Sequence, residues 1–230
     1  MTTHTRTTLA RTIDHTLLKP EATAAQIDCL CDECREFNFY AACVNPVWVA
    51  RCVERLAGSG TCVASVVGFP LGATTPAAKA LEARLAVEQG AAEVDMVVNL
   101  GALIAGEEAT VAEDIAAVVE AARGANPHAL VKVILETRAL TDEQIILGCR
   151  CAVEAGAHFV KTSTGFHAGG GATVEHVALL HKHAGNLGVK AAGGIRDLPT
   201  AQAMLAAGAT RLGMSASIAV VEALPAEPGG

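Results

Sequence analysis

Aromatic residues make up only 3% of this chain, with one Trp and one Tyr. That scarcity leaves no stacking platform for nucleic acid. Positive charge is scarce as well. The 17 Lys and Arg residues face 24 Asp and Glu, for a formal net charge of −7, and no basic cluster offsets it. A nucleic-acid or anionic-membrane surface is therefore not expected. No apolar run approaches the ~18 residues of a membrane span. Met1 to Leu18 lacks the continuous apolar segment of a secretory signal, and the Thr- and Arg-rich stretch up to Arg11 echoes a transit peptide only weakly. The expectation is a cytoplasmic protein whose eight cysteines are reduced. No linker or low-complexity tract divides the 230 residues. One domain over 1–230 is expected, with flexible ends at 1–8 and 225–230.

Metal-ligand spacing is also missing. Cys29, Cys31 and Cys34 fall on one helical stretch, where they are expected to point in three directions, and no second CxxC matches them. His176, His181 and His183 share a helix without i, i+4 spacing and read as surface residues. Neither a metal nor another cofactor is expected.

What is present is a repeat. Gly58, Gly90, Gly124, Gly156, Gly188 and Gly208 precede short apolar runs at separations of 32, 34, 32, 32 and 20 residues, about the length of one βα unit. Glycine suits a helix end that turns left-handed. The runs are Thr61 to Val67, Glu93 to Val98, Ala129 to Leu135, His158 to Lys161, Val189 to Ala192 and Arg211 to Gly213. Ile13 to Leu17 and Tyr40 to Val44 bring the strands to eight. Between them, Val111, Ile115, Val118, Val119 and Ala122 form one apolar helical face, and Ile145, Ile146, Cys149 and Val153 another. Eight alternating units close into a (β/α)8 TIM barrel, with an open doubly wound sheet as the alternative.

Strand alternation then sorts the charges. Val94, Met96 and Val98 share a face opposite Asp95, and Lys132, Ile134 and Glu136 share a face. If the apolar faces meet the helices, Asp95, Lys132, Lys161 and Lys190 point into the barrel. The chain has six lysines, so placing several of them in buried strands is costly unless each is paired or deprotonated. A deprotonated lysine is an amine nucleophile, and a second ammonium beside it lowers its pKa from about 10.4. The alternative is a satisfied ion pair with a carboxylate such as Asp95 or Glu136. Gly193-Gly194 and Gly213-Met-Ser-Ala-Ser217 follow the last two strands, where barrels often bind phosphate, although ordinary strand-to-helix turns use the same residues. Cys43, at a strand end, reads either as a residue near the site or as a buried structural thiol.

Seven motifs in order resemble deoxyribose-phosphate aldolase: Ile13-Asp-His-Thr-Leu-Leu18, Ala42-Cys-Val-Asn-Pro46, Val67-Gly-Phe-Pro-Leu-Gly72, Glu93-Val-Asp-Met-Val-Val-Asn99, Val131-Lys-Val-Ile-Leu-Glu-Thr137, Phe159-Val-Lys-Thr-Ser-Thr-Gly165 and Lys190-Ala-Ala-Gly-Gly-Ile-Arg196. The resemblance implies a class I aldolase of deoxyribonucleoside catabolism that cleaves 2-deoxy-D-ribose 5-phosphate into acetaldehyde and D-glyceraldehyde 3-phosphate. It implies Lys161 as the Schiff-base lysine, Lys190 as the lysine that perturbs it and Asp95 as the proton-transfer carboxylate. It further implies Asp14, Thr16 and Lys132 as substrate- and water-positioning groups, with Gly165, Gly193, Gly194 and Ser215 around the phosphate. The expected partners are a phosphorylated sugar, aldehydes and further copies of the chain. Two features depart from some members. Phe166 stands where those carry a lysine, and the end Leu224-Pro-Ala-Glu-Pro-Gly-Gly230 lacks their terminal tyrosine. A phosphosugar isomerase or synthase and a non-catalytic sugar-binding barrel are the rival readings on the same fold.

Overall fold

The computed structural model describes residues 4–226. Its strands are β1 (Ile13–Leu17), β2 (Ala41–Val44), β3 (Cys62–Val67), β4 (Glu93–Val97), β5 (Leu130–Ile134), β6 (Phe159–Lys161), β7 (Gly188–Ala192) and β8 (Arg211–Met214). The helices are α1 (Arg6–Ala10), α2 (Ala24–Phe37), α3 (Val49–Leu56), α4 (Pro76–Glu88), α5 (Leu100–Ala105), α6 (Glu108–Ala125), α7 (Asp142–Glu154), α8 (Val174–His183), α9 (Leu198–Ala206) and α10 (Ser217–Glu222). Every strand pairs in parallel with the next, and β1 pairs with β8, so the sheet closes into a (β/α)8 barrel and the open doubly wound alternative is excluded.

Local chemistry sets the helix starts. Thr23 and Thr141 form capping boxes with Gln26 and Gln144, while Thr75 caps α4 ahead of Pro76. Helix α6 buries the face Val111, Ile115, Val118, Val119 and Ala122, as its period predicts. Helix α7 turns differently. Ile145 and Cys149 are buried, but Val153 is exposed and its expected place in the core is taken by Ala152. Gly58, Gly90, Gly156 and Gly208 have positive φ. The other two repeat glycines do not end helices: Gly124 lies inside α6, and Gly188 lies within β7, where a Cβ would sit 2.3 Å from the Phe159 ring.

The ends expected to be flexible, 1–8 and 225–230, are described only in part. Residues 1–3 and 227–230 lie outside the described residues, but Arg6–Ala10 is helical, and Arg6 donates to the carbonyls of Leu224 and Glu222 at 2.8 Å. These two bonds tie the start of α1 to the C-terminal end of α10.

Outward side chains of the strands pack under the helices in one continuous core. The barrel interior has two unlike halves. Ala41, Cys43, Ala64 and Val66 of β2 and β3 make a small apolar wall, whereas β4 to β8 and β1 send in Glu93, Asp95, Lys132, Lys161, Lys190, Arg211 and Asp14.

Candidate active site

Parallel register brings the charges together. Lys161 lies opposite Lys190, and Asp95 opposite Lys132. Asp95 is the hub. Its Oδ2 accepts from both Lys161 Nζ and Lys190 Nζ at 2.7 Å, and its Oδ1 accepts from Lys132 Nζ at 2.6 Å. Lys190 also donates to Asp14 Oδ2, and Lys132 Nζ lies 2.6 Å from Glu93 Oε2. Arg211 closes the cluster from below, with Nη1 at 2.8 Å from Asp14 Oδ1 and 2.9 Å from Glu93 Oε2. The guanidinium of Arg211 stacks 3.4 Å from the centroid of Tyr40, the single tyrosine.

Gly213 belongs to this packing, because a Cβ there would meet Lys190 Cε at 3.0 Å and Ala192 Cβ at 3.1 Å. At the other end, Thr162 donates to the Ala192 carbonyl at 3.2 Å and accepts from its N–H at 3.1 Å, tying the chain just after Lys161 to the end of β7.

The cluster holds four cations and three carboxylates. Burial would raise the Asp14 pKa, but Lys190, Lys132 and Arg211 overcome it and bring it down to about 2. Asp95 lies well below the carboxylate range in spite of its burial, because Lys132, Lys161 and Lys190 surround it. Burial also works against the ammonium forms of Lys132 and Lys190. For Lys132 it is outweighed by Asp95, Glu93 and Asp14, and for Lys190 by Asp14 and Asp95, so both pKa values rise. Lys161 moves the other way. Its pKa falls, first because it is buried and then because Lys190 repels it, against the pull of Asp95.

Lys161 also forms part of the wall of a cavity of about 390 Å³ at the C-terminal mouth of the barrel. Of the sequence-predicted positions, Lys161, Thr16, Gly165, Gly193, Gly194 and Ser215 line that cavity. Asp95, Lys190, Lys132 and Asp14 lie beneath it, in contact with one another. Gly193 and Gly194 have φ of +84° and +81°, a consecutive left-handed pair that glycine alone adopts easily. Phe166 also lines the cavity and meets Phe69 edge-on, with ring centroids 5.3 Å apart.

Several expectations change. Glu136 is not a lysine partner; it follows β5 with φ of +58° and accepts from the N–H and hydroxyl of Thr164. Cys43 does not change: it is a buried thiol, one of its two expected readings, in the apolar half of the interior, and burial pushes its pKa up. On α2, Cys31 and Cys34 are buried and Cys29 is exposed. His176 is half-buried, with Nδ1 3.0 Å from Thr137 Oγ1. Sequence reasoning missed Glu93 and Arg211 as members of the cluster, although Glu93 shares the strand parity of Asp95. It also missed Lys19 and Arg196 at the cavity rim. Arg196 had a signal, as the cation directly after Gly193-Gly194-Ile195.

A family model described as DeoC/LacD family aldolase matches residues 8–221. The chain belongs to that family. It is thus an aldolase, a carbon–carbon lyase. Similar proteins include the deoxyribose-phosphate aldolase of Brevibacillus brevis, 56% identical over 210 residues, which are 91% of this chain and 93% of that one. The deoxyribose-phosphate aldolase of a Geobacillus species is 54% identical over 215 residues, 93% of this chain and 95% of that one. Among solved structures, the tetrameric deoxyribose phosphate aldolase from Aeropyrum pernix has a TM-score of 0.88 at 34% identity, covering 95% of this chain and 92% of its own. The charged cluster and the cavity above it are therefore the candidate site of an aldol cleavage.

Proposed function

We propose that the enzyme cleaves 2-deoxy-D-ribose 5-phosphate reversibly into acetaldehyde and D-glyceraldehyde 3-phosphate through a Schiff base on Lys161, as a step of deoxyribonucleoside catabolism. Lys161 carries this reading. It is the cation left over when four positive groups face three carboxylates, the one whose pKa falls while those of Lys132 and Lys190 rise, and the member of the cluster that reaches the cavity. Loss of its proton leaves the buried cluster neutral.

Neutral Lys161 Nζ attacks the aldehyde carbon of the open-chain sugar, and loss of water gives an iminium. Removal of the proton from the C3 hydroxyl then breaks the C2–C3 bond. The bonding pair flows into the iminium as an enamine, and glyceraldehyde 3-phosphate departs. Protonation of the enamine carbon and hydrolysis release acetaldehyde and regenerate the amine. A water held by Asp95 and Lys190 shuttles these protons, since Asp95 Oδ2 already bridges Lys161 and Lys190. The substrate phosphate sits against the loops of Gly165, Gly193, Gly194 and Ser215, with Arg196 and Lys19 as nearby positive charge, and anchors the reacting carbons over Lys161. The tetrameric relative supports a homo-oligomer, and eight free cysteines among the described residues suit a cytoplasmic enzyme.

Mass spectrometry after incubation with acetaldehyde and borohydride tests the proposal. A single ethyl group on Lys161 is the expected result. An adduct confined to Lys132 or Lys190 would reassign the nucleophile, and no adduct would remove the Schiff-base route.

A further inference from the structure

The mechanism leaves His15 without a role, although it lies between Asp14 and Thr16 in β1. Strand alternation turns it away from the cavity, between α2 and α10. There it is buried, and both ring nitrogens are engaged. Nε2 lies 2.7 Å from Glu33 Oε2 on α2, and Nδ1 lies 2.8 Å from Ser217 Oγ, the first residue of α10. Phe39 packs on the ring at 5.0 Å between centroids.

A serine, a histidine and a glutamate in line resemble a nucleophilic triad, but the setting excludes that chemistry. Ser217 is fully buried, lines no part of the cavity and donates to the Met214 carbonyl at 3.1 Å. That bond shows what the chain of contacts holds. Met214 is the last residue of β8 and pairs in register with His15, and Met214 and Ser215 both line the cavity.

We propose that Glu33, His15 and Ser217 form a positioning clamp that fixes the turn after β8, and through it sets Ser215 for the substrate phosphate. The clamp rests on the phosphate reading given above. Thr16 and Met214 then flank the same side of the cavity from two paired strands, and the clamp is the polar link that stops the turn from sliding along β1. Lys161 lies on β6 and depends on Asp95 and Lys190 for its state, so the clamp acts on phosphate binding and leaves Schiff-base formation alone.

The test compares Ser217→Ala and His15→Phe with wild type. His15→Phe keeps the ring packed on Phe39 and removes both hydrogen bonds. Each variant should raise KM for 2-deoxyribose 5-phosphate, and the inhibition constant of inorganic phosphate, by about tenfold, while kcat and the rate of borohydride trapping with acetaldehyde stay within about twofold. Turnover of unphosphorylated 2-deoxyribose should be unaffected. Glu33→Gln, which keeps a side-chain partner for Nε2, should stay near wild type. An equal loss on both sugars, or an unmoved phosphate inhibition constant, would overturn the clamp. If His15→Phe does not fold, Ser217→Ala decides alone. A wild-type enzyme that uses both sugars equally well, while still trapping acetaldehyde on Lys161, would remove the phosphate subsite and the clamp with it but leave the lysine chemistry standing.

Discussion

Two buried lysines of this chain face aspartates at the same distance but in different company. Lys79 Nζ on α4 lies 2.7 Å from Asp114 Oδ2 on α6, and Lys161 Nζ at the end of β6 lies 2.7 Å from Asp95 Oδ2 on β4. Burial lowers the pKa of both. A depressed lysine pKa therefore does not by itself identify a nucleophile.

Lys79 is matched one to one. Asp114 accepts its ammonium and the N–H of Asn99 at 2.9 Å, so the pair ties α4 to the turn after β4, away from any cavity wall described above. Lys161 shares its carboxylate oxygen with Lys190 and opens onto the cavity. The surplus positive charge and the access to substrate, more than the burial, distinguish a reactive amine from a structural one.

The sharpest way to break this comparison is to remove each lysine in turn. Lys161→Met should reduce turnover on the order of 10⁴-fold or more, because the covalent route disappears. It should also abolish the ethyl adduct. Residual turnover close to wild type, read from steady-state rates, would show that another group does the chemistry.

Lys190→Leu should have the next largest effect. Its removal takes away repulsion and leaves Asp95 with one cation fewer, so the ammonium of Lys161 becomes more favourable and its pKa rises. Since the amine must be neutral to attack, activity near neutral pH should fall roughly 10- to 100-fold and recover as pH rises. Wild type should reach its plateau of adduct formation below the ordinary lysine pKa of about 10.4. The pH profile of borohydride trapping measures both, and a profile that does not move in the variant would mean that Lys190 acts chiefly in proton transfer.

Lys79→Met should cost stability by about 3–5 kcal/mol, because it leaves Asp114 buried and unpaired. The pH profile of adduct formation should not move. Denaturant unfolding alongside trapping separates the two effects, and Lys79→Met with Asp114→Leu should regain part of the loss. A shifted profile in Lys79→Met would show that the two buried lysines are electrostatically linked. Exhaustive chelation should have the smallest effect, none on turnover. Loss of activity with EDTA that zinc restores would replace the lysine mechanism with a metal-dependent one.

Strand positions were legible because their signal is local. Alternation put Asp95 opposite Val94 and Met96, and glycine spacing marked the βα units, so the strand ends agree to within a residue or so. Asp95, Lys132, Lys161 and Lys190 followed from the same parity. Glu136 did not, because parity fails two residues beyond β5, where its backbone turns left-handed. Val153 failed for a related reason. The i, i+4 pattern of α7 is ambiguous about which side meets the barrel, and the small residues Gly148 and Ala152 allow the closer approach. His15 passed as a motif letter, since its partners lie 18 and 202 residues away.

The sequence by itself determined the eight βα units, the phases of their strands and the scarcity of lysine that made two of them conspicuous, because periodicity and composition are properties of neighbours along the chain. Closure of the barrel decided the rest. The register of β4 through β8 with β1 fixes which charges touch: Lys132 and Lys190 each reach a second carboxylate, Glu93 and Asp14, while Lys161 has only the Asp95 that it shares with both. A pKa depends on burial and on every charge within a few ångströms, and those distances exist only once β1 has met β8.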